Sequence, residues 1–479
     1  MIIKAKDFDY KIIEDCKILP RPRGNQGGRK ARYLDLVTAF DIETTNVPEI
    51  EQSFMYIWQM QLGPDLTLIG RDWDSYIQIL QGISKRLPDN VYMVQWIHNA
   101  SFEFQFIKGI YHFEPDEVFC LESRKIAKFT MFDHIEYRCS YIHSNMSLAE
   151  FTHKMGVPDS KLSGYDYTKQ RYPWTPLTDF EIQYCINDVK GLVQALIIEM
   201  AADGDNLYTV PLTSTGYVRR DCKQAMKQYN HKQLYAMLPD AELYLALREA
   251  FRGGNTHASR WYAGEILEDV TSFDRSSSYP DVMVNCLYPM GPFFHEGGVS
   301  FQRLKKLIEV RHKAVLFRIA FYDLKLKDRY DGAPYLSRDK GRNIQGAVFD
   351  NGRILSCDYA CFTLTDLDWK IILKHYTWSG CNPYDVWHAR YGKLPKPLTD
   401  TVKHYYRLKT ELKNVPGQEI YYLKSKNKLN SLYGMTATSI KDRIEYLDES
   451  EDPYQAEDRP LEDLIKENNK KAFLSYAWG

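Results

Sequence analysis

No apolar run in the chain reaches the roughly 18 residues that a membrane-spanning helix needs, so no bilayer partner is expected. Neither sign of charge is in surplus: 62 Lys and Arg face 63 Asp and Glu. That balance excludes a chain-wide field pulling in polyanions and leaves only local basic grooves for such work. Nine cysteines are scattered, and Cys357 and Cys361 lack a second pair at zinc-ribbon spacing, so neither a disulfide framework nor a structural zinc site is read. Met1 to Asp7 shows no long apolar stretch and no small-residue cleavage site, hence no secretory signal. These absences together predict a soluble, cytoplasmic protein with reduced thiols. What is present is length and tyrosine. The 479 residues suit two to four domains at roughly 150 residues each, and the 35 Tyr can serve either Tyr-rich cores or stacking surfaces for single strands.

Residues 20 to 32 are rich in Pro, Gly and positive charge, which predicts a solvated linker, with a basic arm on a phosphate backbone as the alternative. From Tyr33 to Thr45, apolar positions alternate with polar ones, a period of two that predicts a strand. Helical and strand patterns then alternate to about residue 205, where a domain boundary is expected. Beyond it the texture is mixed, with helical runs near 362 to 376 and 418 to 433. The acidic stretch Asp448 to Pro453 reads as a solvated loop.

Three acidic clusters stand out in the first part. In Phe40-Asp41-Ile42-Glu43-Thr44-Thr45, side chains at i and i+2 share a side of the strand, so Asp41 and Glu43 project together. Two carboxylates so close repel unless a divalent cation neutralises them, and hard oxygen ligands suit Mg²⁺ or Mn²⁺. A solvated strand end is the plain alternative. A second strand, Val91 to Ile97, leads into His98-Asn99-Ala100-Ser101-Phe102-Glu103. Glu103 there is either a further cation ligand or an acid complementing a helix N-terminus. Thr178-Asp179-Phe180-Glu181 is a capping box opening a helix, on which Tyr184 and Asp188, four apart, share a face.

These strings resemble the 3′→5′ proofreading exonuclease domain of many DNA polymerases, through Asp41-x-Glu43, Asn99-x-x-x-Glu103 and Tyr184-x-x-x-Asp188. The resemblance implies two metal ions held by Asp41, Glu43, Glu103 and Asp188, with Tyr184 orienting the attacking water. Glu103 departs from the family's usual Asp. Thr44, Asn99 and Phe102 match positions that hold a frayed 3′ end. Ser147, Leu148 and Tyr167 are implied as further DNA contacts, and Lys161 as a contact to the scissile phosphate.

A second constellation lies further on. Val270 to Asp274 has strand character, and Arg275-Ser276-Ser277-Ser278-Tyr279-Pro280 turns into a helix whose first turn suits Pro280. Lys426, Asn430 and Tyr433 fall at offsets 0, 4 and 7 on one face of a helix ended by Gly434. An ordinary capped turn and an exposed amphipathic face are the plain alternatives. Together the two strings resemble motifs A and B of family B DNA polymerases. The resemblance implies that Asp274 ligates both metals of a second, nucleotidyl-transfer site. It further implies that Lys426 offsets triphosphate charge, that Tyr279 packs beneath the sugar, and that Asn430 and Tyr433 line the nascent base pair, with Lys409 a further phosphate contact. Phe251-Arg252-Gly253-Gly254 resembles the Tyr-x-Gly-Gly link between exonuclease and polymerase domains, and makes Gly253 and Gly254 DNA contacts.

Residues 300 to 400 and 435 to 472 resemble the two insertions of protein-primed phage polymerases. The expected fold is therefore an α/β exonuclease domain with a ribonuclease H-like mixed sheet, followed by an α+β palm and fingers with two insertions. Its divisions fall at 1–205, 206–299, 300–400, 401–434 and 435–479. The implied partners are template and primer DNA, deoxynucleotides and a terminal priming protein, in the cytoplasm of a bacterial host. The family's Asp-Thr-Asp motif is not found after Gly434; Asp366-Leu367-Asp368 and Asp400-Thr401 lie upstream and are poor substitutes. The expectation is an N-terminal polymerase portion that relies on a separate C-terminal fragment for synthesis. A DNA-binding or priming-protein adaptor with degenerate catalysis and an exonuclease-only protein are the competing readings.

Overall fold

The computed structural model describes residues 2–22, 31–158, 162–310, 312–330 and 333–479. The chain divides into two compact units: Met1–Tyr217 with Glu411–Lys424 and Asp442–Asp458, and Val218–Thr410 with Ser425–Lys441 and Arg459–Gly479. The boundary expected near 205 thus falls within the first unit. Two later segments, expected as fingers and second insertion, return to that unit as well. Their apolar residues explain the return: Ile420 and Leu423 pack into one of its cores, Tyr446 and Tyr454 into another.

The first unit is built on a mixed sheet. Its strands are β1 (Ile2–Lys4), β2 (Arg32–Val47), β3 (Gln52–Leu62), β4 (Leu66–Gly70), β5 (Val91–Ile97), β6 (Val118–Glu122), β7 (Lys125–Met131) and β8 (Ile135–Cys139). They lie in the order β1-β4-β3-β2-β5-β8-β7-β6, and strands Ile444–Tyr446 and Tyr454–Ala456 complete the edge. β2 runs parallel to β5 and antiparallel to β3. Alternation along β2 assigns its two faces. Phe40 and Ile42 enter a core with Trp58, Tyr76 and Phe104, whereas Ala39 packs beside Trp96, Val189 and Leu192. Helix Asp179–Asp203 therefore covers the face to which Asp41 and Glu43 belong. Thr178 and Glu181 close its capping box in both directions, as the sequence predicts.

The second unit carries an antiparallel sheet in the order Phe294–Gly297, Gly380–Gly392, Lys313–Leu326, Arg353–Thr365, Gly341–Gln345. Its core gathers Phe317, Phe321, Phe362 and Trp369. Two expectations fail here. The helical run near 362 to 376 is strand up to Thr365 and helix only over Asp366–His375, because Thr365 and Asp368 form a capping box that starts the helix there. Val270 to Asp274 form no strand: Val270 is 70% and Phe273 91% exposed. A strand exists only where a neighbour accepts its hydrogen bonds, and no described strand pairs with this segment. Among the described residues no helix is long and apolar enough to cross a membrane.

Candidate active site

Asp41 and Glu43 emerge from β2 on the side covered by helix Asp179–Asp203, where Asp188 lies one turn beyond Tyr184. Ligand oxygens of Asp41, Glu43 and Asp188 all lie within 4.8 Å of one another. Sheet register fixes one of them. Gln59 on β3 stands directly opposite Asp41 and donates its amide to Asp41 Oδ2 at 2.6 Å. The register shifts between Glu43 and Thr44, an irregularity of the kind that re-aims side chains at sheet ends.

Glu103 comes from a different direction, the first turn of helix Ala100–Ile107, whose cap Asn99 is left-handed at φ 74°. It is buried and hydrogen-bonded to Asp41. Burial first, and then the Asp41 charge, raise the Glu103 carboxyl well above the carboxylate range. Its Oε2 has no hydrogen-bond partner among the described residues. The structure thus brings all four predicted acids together, three as a compact group and Glu103 bonded to one of them. An all-oxygen donor set, like charges packed at close range and a buried carboxylate oxygen without a partner fit a hard divalent cation.

Tyr184 is buried under two other tyrosines. Its hydroxyl pairs with that of Tyr167 at 2.5 Å, and the Tyr165 ring lies 4.3 Å from its own. Burial first, then the Asp188 charge, push the Tyr184 phenol up, so it remains a hydroxyl beside the acids. Burial likewise raises Tyr165, to about 12, and Tyr165 bonds Tyr56 on β3. Arg171 secures this layer from behind. Buried itself, it pairs with Glu181, donates to the carbonyls of Asp166 and Lys169, and lies 4.7 Å from the Tyr165 ring. Its amide donates to Thr45 at the end of β2. Gln59, Tyr56, Tyr165 and Arg171 were not singled out from sequence. Only Gln59 left a trace, as one of two amides, with Gln61, in the otherwise apolar run Phe54 to Leu62.

The predicted DNA contacts divide. Asn99 and Phe102 are exposed beside Glu103, and Tyr167 is exposed above Tyr184. Thr44 follows Glu43 and is half-buried. Leu148 instead belongs to the core, and Ser147 caps its own helix by accepting from the Glu150 amide. Leu148 is buried by that packing, while Ser147 remains exposed. Lys161 and the basic loop residues Arg23 to Lys30 lie outside the described residues.

In the second unit, Lys426, Asn430 and Tyr433 are exposed while Leu429 and Leu432 are buried, which gives the single face their spacing predicts. Tyr433 stacks on Tyr279 with centroids 4.0 Å apart and planes 5° from parallel. A Cβ on Gly254 would sit 3.6 Å from the Tyr279 hydroxyl. Lys409 donates to Ser277 at 2.9 Å. Asp274 is exposed in irregular chain just before these residues, and Gly253 has open space at its Cβ position. Asp366 and Asp368 hold helix and loop structure: Asp366 accepts from Tyr391 and the Val315 amide, and Asp368 from Tyr335 and Thr365.

An α/β unit bearing clustered acids and a second unit bearing a Lys-Asn-Tyr helix face define a class. The family described as DNA polymerase type B, organellar and viral, matches residues 160–477, and the chain belongs to it. Among curated proteins it is similar to the DNA polymerases of Bacillus phage phi29 and Bacillus phage PZA. Each is 24% identical over 323 residues, covering 64% of this chain and 51% of the relative. The chain therefore spans about half the length of the curated relatives it matches. Among solved structures, phi29 DNA polymerase complexed with primer-template DNA superposes with a TM-score of 0.69 at 17% identity, covering 90% of this chain and 75% of that one. The ternary complex with incoming nucleotide gives 0.65 at 17%, covering 92% and 76%. The fold is shared, and the resemblance carried by the motifs to phage-type family B polymerases is borne out.

Proposed function

We propose that the chain carries out the DNA-directed DNA polymerase function of its family together with 3′→5′ proofreading hydrolysis. The observation that carries the exonuclease half is the grouping of Asp41, Glu43 and Asp188 within 4.8 Å, with Glu103 bonded to Asp41. On this reading those four acids hold two Mg²⁺ or Mn²⁺ ions. Bound there, such ions supply an activated water and stabilise the leaving oxygen. Gln59 fixes the orientation of Asp41, and Glu103 bonds Asp41 from the opposite element. The Tyr184 hydroxyl, kept protonated and steered by Tyr167, hydrogen-bonds the attacking water. Phe102 and Asn99 receive the unpaired 3′ nucleotide.

The nucleotide-adding half rests on family membership and on the face shared by Lys426, Asn430 and Tyr433. Lys426 offsets phosphate charge and Asp274 ligates metal. The sugar and nascent base pair enter where Tyr279 and Tyr433 now stack, so these rings separate on binding. Gly253 and Gly254 let DNA backbone approach closely. Template and primer DNA, deoxynucleotides and a terminal priming protein are the partners on this reading, and a bacterial host cytoplasm is the setting.

The test uses a 5′-labelled single-stranded oligonucleotide with Mg²⁺ or Mn²⁺. Degradation from the 3′ end is expected, lost with EDTA and lost in the Asp41→Ala, Glu43→Ala double variant. Hydrolysis unaffected by that double variant overturns the exonuclease assignment. Retained DNA binding without metal-dependent hydrolysis favours the adaptor reading.

A further inference from the structure

A tight turn tied through Arg71 to strand β3 holds an aromatic plane out into water. Trp174 is 78% exposed, yet the turn that bears it is bound on several sides. The Thr175 amide donates to the Tyr172 carbonyl, and the Tyr172 amide donates to Thr175 Oγ1, both at 2.9 Å. Arg71 then clamps the turn to the sheet. Its Nη2 donates to the carbonyls of Tyr172 and Thr175 at 2.8 and 3.0 Å, and its Nε to the Tyr56 carbonyl of β3 at 2.6 Å. The Tyr172 ring lies 5.2 Å from that of Trp174 and within 4° of parallel. An indole left in water forgoes a large burial gain, and here it is also held in place. One face is backed by a tyrosine and the rest is open, which is a preformed receptor for another flat ring.

The same scaffold leads to the acids. Tyr56, whose carbonyl Arg71 holds, bonds Tyr165, and the Tyr165 ring packs against Tyr184 with centroids 4.3 Å apart. Leu177, just after the turn, packs with Tyr56 and Cys185. We infer that Trp174, backed by Tyr172, is a stacking subsite for an unpaired base of the DNA strand whose 3′ end enters the Asp41–Glu43–Asp188 site. The inference rests on the exonuclease reading for its ligand class. Stacking is neutral and sequence-tolerant, which suits a turn with little net charge of its own.

Tryptophan emission is titrated with a single-stranded oligothymidylate in EDTA, where no hydrolysis occurs. Quenching is expected in the unaltered protein, and Trp174→Ala should bind about tenfold more weakly, the order of one lost base stack. Trp174→Phe, which keeps a ring, should recover most of the affinity while losing part of the quenching. Equal affinity of the unaltered protein and Trp174→Ala overturns the subsite. So does an equal loss of affinity for a blunt duplex, which offers no unpaired base. If the protein hydrolyses nothing when metal is restored but the Trp174 effect on binding persists, the exonuclease reading falls and the subsite stands.

Discussion

Replacing Arg171 with Met tests how the tyrosine layer is held. The guanidinium, 3% exposed, binds the Glu181 carboxylate at 2.7 and 2.8 Å and two loop carbonyls at 2.7 and 2.9 Å. Methionine fills much of the volume but leaves Glu181, only 7% exposed, with Lys169 at 3.2 Å and the Thr178 amide. Breaking a buried pair in this way costs about 3–5 kcal/mol, and the remaining partners place the loss near the lower end, about 3 kcal/mol. For a unit of roughly 250 residues that lowers its Tm by about 6–12 °C. Calorimetry at neutral pH reads the shift directly. The pH dependence gives a second check. Burial raises the Glu181 pKa, but the Thr178 amide, Arg171 and Lys169 outweigh it and hold the carboxyl at about 2. A depressed folded-state value contributes stability above the unfolded value, near 4.3, that is lost as pH falls toward 2. The gap between the unaltered protein and Arg171→Met should therefore be full at pH 6 and shrink below pH 4. A Tm change under 2 °C at neutral pH, or a gap that widens with acid, refutes the account of Arg171 as the anchor of this layer.

Two further outcomes follow from the packing and the acids. Saturating Mn²⁺ at about 100 times its Kd should stabilise the first unit by about 2.7 kcal/mol, and Asp188→Asn should abolish most of that gain in a thermal melt. An equal gain in the variant would place the ion elsewhere. Phe104 is fully buried with ring centroids of Phe113, Phe129 and Tyr446 at 4.8, 5.2 and 5.1 Å, so Phe104→Ala should cost about 3–5 kcal/mol in urea unfolding. A loss under 1 kcal/mol would mean that the return strand does not depend on this contact.

Much of the first unit is legible in sequence because its signals are local. The period of two along β2 names the face of Asp41 and Glu43, and the Thr178–Glu181 capping box starts the helix that brings Tyr184 and Asp188. Glu103 was legible as a helix-start acid, but not its bond to Asp41, which depends on the two meeting across the fold. Arg171 and Tyr165 were not legible at all, since an Arg between exposed loop residues carries no periodicity and its buried partners lie on separate elements. The strand expected at Val270 to Asp274 failed for the opposite reason. Its local pattern is adequate, but strand formation is a property of pairs. Leu148, tied to DNA by resemblance, also packs into the core through its place on a helix face.

The return of Ile444–Tyr446 to the sheet has a bearing on how the protein is made. Tyr446 closes over Phe104 and Phe113, and Asp448 accepts from the Phe113 amide and pairs with His112, so the far edge of the first unit awaits residues translated more than 300 positions later. A nascent chain leaving the ribosome must keep those rings covered by transient neighbours or chaperones until that hairpin emerges. A fragment stopped soon after residue 217 should expose a sticky flank and precipitate, even though it holds all four acids.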